Sequence, residues 1–408
     1  MLSLKYPEIL PHLQLLDYGL QPVRIKTEDR ISLIIKATKE VILTARNKNK
    51  FKVYLVKEQT DSSCSLGLVT AFFDDHDEPL VVMTPMHKED ELMKDLVKLF
   101  TQDSFDLYFF DENNRELFGV NASNIEFNRF HTLMTEAEFT DFVPSKAQDF
   151  IKKMQTSFAY RTSIDDKNAF TILLNERLYN DDYAIIDARD KITSFQTNEN
   201  PFAITTLERE GDPGPMQERD IAIIMARLFK SEQIFLNPFR ADTDKELTDV
   251  LIVYDHVLLF IQAKDSPNTE KILNRTIERK RKTTRAHIKK ATDQIRGALS
   301  YAQKNGKIIL KGESESIIVP TKGKQLIGLI VVRELFDDDY VECSSSVLKA
   351  IRDLEAPIAL LDFPQLHILT QNFANSIQFT NGIYSIVDMA LEHEEFPKSV
   401  WNGAPLKN

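Results

Sequence analysis

ELTDVLIVYDHVLLFIQAKD, residues 246 to 265, decides the fold of the half of the chain in which it lies. Asp249 to Tyr254 and Val257 to Lys264 are two runs rich in β-branched and aromatic residues, with Asp255 and His256 between them as a two-residue hairpin loop. Register follows by counting. With Tyr254 opposite Val257, successive pairs bring Asp249 opposite Gln262, and the alternation of side chains along a strand puts Asp249, Gln262 and Lys264 on one face. Three polar groups converge at the open end of an otherwise apolar hairpin.

Such a convergence has a bland reading, an ordinary hairpin with polar residues at its open end, and a chemical one. In the chemical reading Asp249 holds a divalent cation that polarises a phosphate and lowers the pKa of a bound water. Lys264 then orients that water or stabilises developing charge, while the Gln262 side-chain oxygen and the Ala263 backbone carbonyl add metal ligands. Upstream, a helix is expected over Gln217 to Lys230. There Glu218 heads an apolar stripe of Ile221, Ala222, Met225 and Leu228 and sits at the rim of the same site.

These residues resemble the core motif of the PD-(D/E)xK nuclease superfamily, an Asp at the start of one strand followed after a hairpin by (Glu or Gln)-x-Lys, here Gln262-Ala263-Lys264. The Gln form is similar to that of Mrr-like restriction endonucleases. Glu218 matches the position of the superfamily's helical acid, and Lys290, Gln294 and Tyr301 share one side of the following helix as supporting residues. The resemblance covers roughly residues 217 to 392 and implies a restriction-endonuclease-like α/β domain with a central mixed sheet. It also implies hydrolysis of phosphodiester bonds in DNA with Mg2+ or Mn2+, in a setting of restriction or antiviral defence. GKQLIGLIVVREL and APIALLDFPQLHILT would supply further strands, and Tyr384 to Glu394 the closing helix. Gln262 stands where an acid is commoner and removes one negative ligand, which Glu218 or Glu246 is expected to replace. The alternative readings are a domain of this fold that binds nucleic acid or a partner without cutting, and an RNA-cutting effector.

Residues 271 to 290, KILNRTIERKRKTTRAHIKK, hold nine Lys or Arg against Glu278, a local charge of +8 in a chain whose formal net charge is -11. The balance elsewhere is therefore -19, which argues against a protein that coats nucleic acid over its whole surface. Taken alone, the basic run reads as a solvated helix. It begins seven residues after Lys264, however, where a polyanion acted on by the hairpin would lie. Arg275, Arg279, Lys280, Arg281, Lys282, Arg285, Lys289 and Lys290 are accordingly the candidate phosphate contacts.

A chain of 408 residues exceeds the usual size of a single core, so two domains are expected. Residues 1 to 200 read as an α+β domain, with strand-like runs such as Phe51 to Val56, Leu66 to Phe73 and Leu107 to Phe110. Helix-like runs lie near Glu89 to Phe100 and Glu136 to Met154, and Asn113-Asn114 reads as a hairpin turn. Residues 201 to 216 read as a linker because EREGDPGP interrupts any period, and residues 217 to 408 form the second domain. The first domain carries no catalytic constellation. Its acidic balance suits restraint, recruitment of a protein partner or assembly into a homo-oligomer.

The acidic stretches Asp74 to Glu78 and Asp337 to Asp339 read as turns, and His256 as a turn residue. Cys64 and Cys343 belong to no ligand spacing, which disfavours zinc and fits a reducing cytoplasm. No phosphate-binding glycine motif or serine-hydrolase elbow occurs, and no signal peptide or membrane span is expected.

Overall fold

A computed structural model describes residues 1–14, 18–25, 30–60, 63–73, 79–86, 91–126, 144–179, 183–187, 202–206, 214–266, 269–312, 315–336 and 338–398. The acidic turn expected at Asp74 to Glu78 lies outside these residues. Among the described residues no helix is long and apolar enough to cross a membrane.

The N-terminal unit is built on eight strands: β1 (Gly19–Ile25), β2 (Arg30–Lys36), β3 (Lys50–Thr60), β4 (Ser63–Phe72), β5 (Leu80–Met86), β6 (Phe105–Phe110), β7 (Glu116–Asn124) and β8 (Phe170–Arg177). Their order is β1-β2-β6-β7-β8-β3-β4-β5, antiparallel throughout except for the parallel pair β2 and β6. The two edge strands approach each other, with the Leu20 N–H donating to Thr84 Oγ1 at 3.2 Å, so the sheet curls around its own apolar face. Inside the curl run Phe51, Phe72, Phe109 and Phe118, with successive ring centroids 5.1, 6.4 and 5.7 Å apart. Helices α1 (Lys39–Lys48) and α2 (Glu91–Phe100) contribute Val41, Ile42, Leu96 and Leu99 to the same core. Helix α3 (Pro144–Ala159) buries Phe150, Met154 and Phe158 against the outer face of β3 and β4. Of the helix expected over Glu136 to Met154, residues 136 to 143 lie outside the described ones. The Asn-Asn turn forms as read: Asn114 takes the left-handed φ of 60° that asparagine tolerates, and Asp111 and Arg115 close the hairpin.

The linker expectation needs correction. Residues 202 to 206 are a strand, β10 (Phe202–Thr206), paired antiparallel with β9 (Tyr183–Asp187), and helix α4 (Gly214–Met225) already begins within the expected linker. Gly214 and Pro215 stand in the first turn of that helix, where a missing N–H costs nothing. Breaker residues there mark a helix start.

The C-terminal unit is an α/β fold around a mixed five-stranded sheet. Strands β11 (Ile234–Leu236), β12 (Val250–Tyr254) and β13 (Val257–Lys264) are antiparallel neighbours, whereas β13, β16 (Gln325–Val332) and β17 (Ile358–Asp362) run parallel. A small hairpin of β14 (Lys307–Leu310) and β15 (Ile317–Pro320) stands apart from this sheet. Between β13 and β14 runs α5 (Ile277–Asn305), which at 29 residues is about 44 Å long. It packs with α6 (Tyr340–Leu354) over one face. Helices α4, α7 (Phe363–Asn372) and α8 (Ser376–His393) lie against the other, where Leu259 and Ile327 meet Phe379 and Ile383. APIALLDFPQLHILT thus holds one strand and one helix where strands were expected. The switch falls at Asp362, whose carboxylate caps the Gln365 N–H at 2.8 Å, with Pro364 in the first turn.

Gly328 in β16 lets α5 approach the sheet, because a Cβ there would lie 2.8 Å from Ile295 Cγ2 and 3.1 Å from Ile358. Gly328→Ala should cost about 1–3 kcal/mol through overpacking, read from the urea midpoint. A change below about 0.5 kcal/mol would show that the helix gives way freely.

Candidate active site

The hairpin register is the one counted from sequence. Tyr254 pairs with Val257 and Val250 with Ile261, and Asp255 in the turn takes a left-handed φ of 36°. The chain entering β12 is pinned on both sides, by the Thr248 hydroxyl donating to the Ile261 carbonyl at 2.6 Å and by the Asn237 N–H donating to the Asp249 carbonyl at 2.8 Å. Asp249 is therefore held just before the strand, buried, and facing Gln262.

Its two carboxylate oxygens are both occupied. One accepts the Gln262 side-chain amide N–H; the other accepts the Ala263 N–H at 2.6 Å and lies 3.6 Å from Lys264 Nζ. Lys264 also donates to the Ala263 carbonyl at 2.7 Å. Two expected metal ligands are thus placed differently from the reading above: Gln262 turns its nitrogen, not its oxygen, toward Asp249, and the Ala263 carbonyl is engaged by Lys264. The physical reason is charge balance, since in this arrangement the ammonium and two N–H groups neutralise and solvate the buried carboxylate.

Glu218 from α4 and Glu246 flank this centre. Burial and then the charge of Asp249 push Glu218 up from 4.5 to about 7, with Glu246 adding to the rise while Asn237 and Lys264 oppose it. Glu246 is likewise pushed up to about 7 by burial and by Asp249, against Lys264. Asp249 itself is raised by burial, against the pull of Lys264, the Ala263 N–H and Gln262. Three carboxylates share one ammonium. Among the described residues, no three His, Cys, Asp or Glu side chains stand close enough together to hold a metal ion.

A cleft of about 270 Å3 opens from Asp249 and Gln262 toward α5, with Glu246, Gln294, Tyr301 and Arg240 on its walls. Gly297 on α5 leaves it unobstructed, as a Cβ there would touch nothing within 4 Å. Arg240 stacks its guanidinium 3.7 Å above the Tyr301 ring and forks onto Asp242 at 3.0 and 2.6 Å. Lys280, His287, Gln294 and Tyr301 recur every seven residues and so lie along one side of α5. At the far end of that side a second cavity of about 50 Å3 is lined by Arg275, Lys280 and His287, with Leu80 and Glu40 of the N-terminal unit opposite. His287 is driven below its usual range by burial and by the positive charges of Lys264 and Lys290.

The eight basic candidates divide. Arg279, Lys282, Lys289 and Lys290 are exposed on α5. Arg281 and Arg285 are taken up by the acidic loop before α6: Arg281 meets Asp338 at 2.7 Å and Glu278 at 2.8 Å, and Arg285 meets the buried Asp339 at 2.8 and 2.9 Å. Asp338 and Asp339, read as a plain loop, are thus the counter-charges that tie the basic helix down. Arg240, Asn237 and His287 escaped the sequence reading. Arg240 and Asn237 are lone polar residues outside any motif, and His287 is the one non-cationic polar ring within the basic run, all three brought to the site by the chain path.

No protein-family model matches the sequence, and a search of curated proteins returns no match.

Carboxyl groups raised in the folded state bind protons that the unfolded chain, titrating near 4.5, has already released. Their contribution to stability is full below about 4.5 and fades as pH rises through about 7. The melting temperature of the metal-free protein should therefore fall more steeply between pH 5 and 8 than that of the double variant Glu218→Gln, Glu246→Gln. Parallel curves for the two proteins would show that the crowding is relieved in solution.

Proposed function

We propose that the C-terminal unit is a divalent-metal-dependent nuclease that hydrolyses phosphodiester bonds in DNA, in keeping with its resemblance to the PD-(D/E)xK superfamily. The observation that carries this reading is the sharing of a single ammonium, Lys264, by Asp249, Glu218 and Glu246, beside a cleft bounded by Asp293, Gln294 and Tyr301 of α5, downstream of that helix's basic stretch. Two glutamates raised to about 7, first by burial and then by the charge of Asp249, mark a site short of positive charge, and their hard oxygen donors suit magnesium or manganese. Asp249 would be the first ligand of the ion, and Glu218 and Glu246, which as placed do not stand close enough to hold it together with Asp249, would have to be drawn in by it; once bound it would supply a polarised phosphate and an acidified water. Lys264 carries positive charge to the reacting phosphate, and the exposed cations of α5 align the backbone without reading sequence. Restriction or defence against invading DNA is the biological setting we propose, with the N-terminal unit as the part that docks a protein partner.

A second reading has one observation in its favour. Asp249 is already satisfied by Gln262, Ala263 and Lys264 without any metal, the arrangement expected of a domain that grips nucleic acid and no longer cuts it.

The test is incubation of the full chain with plasmid, linear duplex, single-stranded DNA and RNA in Mg2+, Mn2+ or EDTA. Cleavage of DNA should require metal, and Asp249→Ala or Lys264→Ala, assayed as folded protein, should lower it by at least about a hundredfold. Gln262→Glu, which adds a charged ligand, should sustain cutting at lower Mg2+. Binding without cleavage on every substrate supports the second reading, and cleavage of RNA alone would sink the assignment to DNA.

The exposed cations have their own signature. Replacing Arg279, Lys282, Lys289 and Lys290 by Ser should weaken DNA binding alike for all sequences and reduce the slope of log K against log salt by up to about 4. An unchanged slope would return this part of α5 to the role of a solvated helix face.

A further inference from the structure

The two units meet in a buried ionic seam. Helix α1 of the N-terminal unit opens with Lys39 and Glu40, and each reaches a different element of the C-terminal unit. Lys39 Nζ donates to Asp220 Oδ2 at 3.0 Å. Arg115, from the Asn-Asn hairpin turn, forks onto the same carboxylate at 2.7 and 3.1 Å while its Nε donates to Asp111 at 2.6 Å. Lys39, Asp111, Arg115 and Asp220 are all buried. Glu40 pairs with Arg333, whose Nη1 also donates to the Ser266 carbonyl at 3.1 Å.

Each anchor stands next to a member of the candidate active site. Asp220 follows Glu218 by two residues, and at about 100° per residue the two side chains leave α4 on nearly opposite sides. The first turns of α4 therefore turn Glu218 toward Asn237 and Asp249, and Asp220 toward Lys39 and Arg115. Arg333 follows Val332, which is the register partner of Lys264, and the carbonyl it holds is that of Ser266, two residues past Lys264. Lys39, Glu40, Gln217, Asp220, Asp265 and Arg333 line one small cavity of about 30 Å3, so both anchors belong to a single polar seam behind the site.

We propose that Lys39 and Glu40 of the N-terminal unit are positioning residues for the C-terminal site, bracing Glu218 through Asp220 and Lys264 through Arg333 and the Ser266 carbonyl. The inference rests on the nuclease reading for its consequence in rate, but the brace itself is a mechanical statement about two segments of chain. Long-range ion pairs suit that purpose. Each has a fixed direction and length, whereas apolar contacts tolerate sliding, and a misplacement of about 1 Å at a reacting centre costs about a hundredfold in rate. The N-terminal unit is on this view part of the catalytic scaffold, and its removal unsettles the site.

The test uses the full chain with Lys39→Met, Lys39→Arg, Glu40→Gln and Arg352→Gln. The last breaks an exposed ion pair with Glu394 remote from the seam. Lys39→Met leaves Asp220 its two bonds from Arg115, and Glu40→Gln keeps the shape of the side chain, so if one variant does not fold the other carries the test. Hydrogen exchange should rise in residues 214 to 225 for Lys39→Met and in residues 262 to 266 for Glu40→Gln, and in neither for Arg352→Gln. DNA cleavage should lose about ten- to a hundredfold in kcat with KM changed less than about threefold, and Lys39→Arg should recover most of it. Exchange unchanged in both segments overturns the brace, as does a kcat at the wild-type value in variants that merely melt earlier. If wild type and Asp249→Ala cut equally or not at all, the nuclease reading has failed on its own account, and the exchange pattern still decides the brace.

Discussion

The two-residue turn at Asp255 and His256 sets the register on which the C-terminal unit depends. Asp255 accepts a left-handed backbone, Tyr254 is thereby held opposite Val257, and every later pair follows in steps of one residue. A slip by one would turn Gln262 into the apolar layer and lift Ile261 out of it. On its other edge β13 pairs in parallel with β16, in a register of its own that sets Val332 beside Lys264 and so decides where Arg333 emerges. The turn thus positions Asp249 against Gln262, and the parallel pairing positions the seam behind Lys264.

Charge placement around that frame is uneven, and the unevenness has a direction. On the cleft side three carboxylates share one ammonium, and burial together with the charge of Asp249 raises Glu218 and Glu246 to about 7. Along α5 the cations are partly neutralised from behind, with Asp338 and Asp339 holding Arg281 and Arg285. Each of these pairs joins one buried member, Arg281 or Asp339, to one exposed member, and so fixes the helix against the loop. The cations left on the outer surface are those with room to meet a polyanion.

The seam between the units is of a different kind. Buried charges are costly unless each is met by several donors or acceptors, and Asp220 receives three N–H contacts from Lys39 and Arg115. Both sides must be present for either to be satisfied without water. The two large sheets lie on either side of residue 200, although β9 and β10 pair across it and Leu273 joins the N-terminal core, and the polar groups of the seam belong to neither unit alone.

Local information carried the hairpin, the Asn-Asn turn and the C-terminal α/β pattern, because alternation, turn chemistry and helical periodicity are properties of neighbouring residues. It also carried the meeting of Asp249, Gln262 and Lys264, which is a matter of counting within one hairpin. It misjudged the segment at 201 to 216, where Gly214 and Pro215 begin a helix, and the stretch after Asp362, where a capping box turns strand into helix. Tertiary structure alone decided which amide atom of Gln262 faces Asp249, that Asp338 and Asp339 tie down two arginines of α5, and that Lys39, Glu40 and Arg115 stand behind the site. Apart from the Gln262–Asp249 pair within the hairpin, each of those contacts joins residues dozens to hundreds of positions apart. Hydrogen-bond satisfaction at such range depends on which surfaces the packed sheets bring together, and no period or spacing along the chain records it.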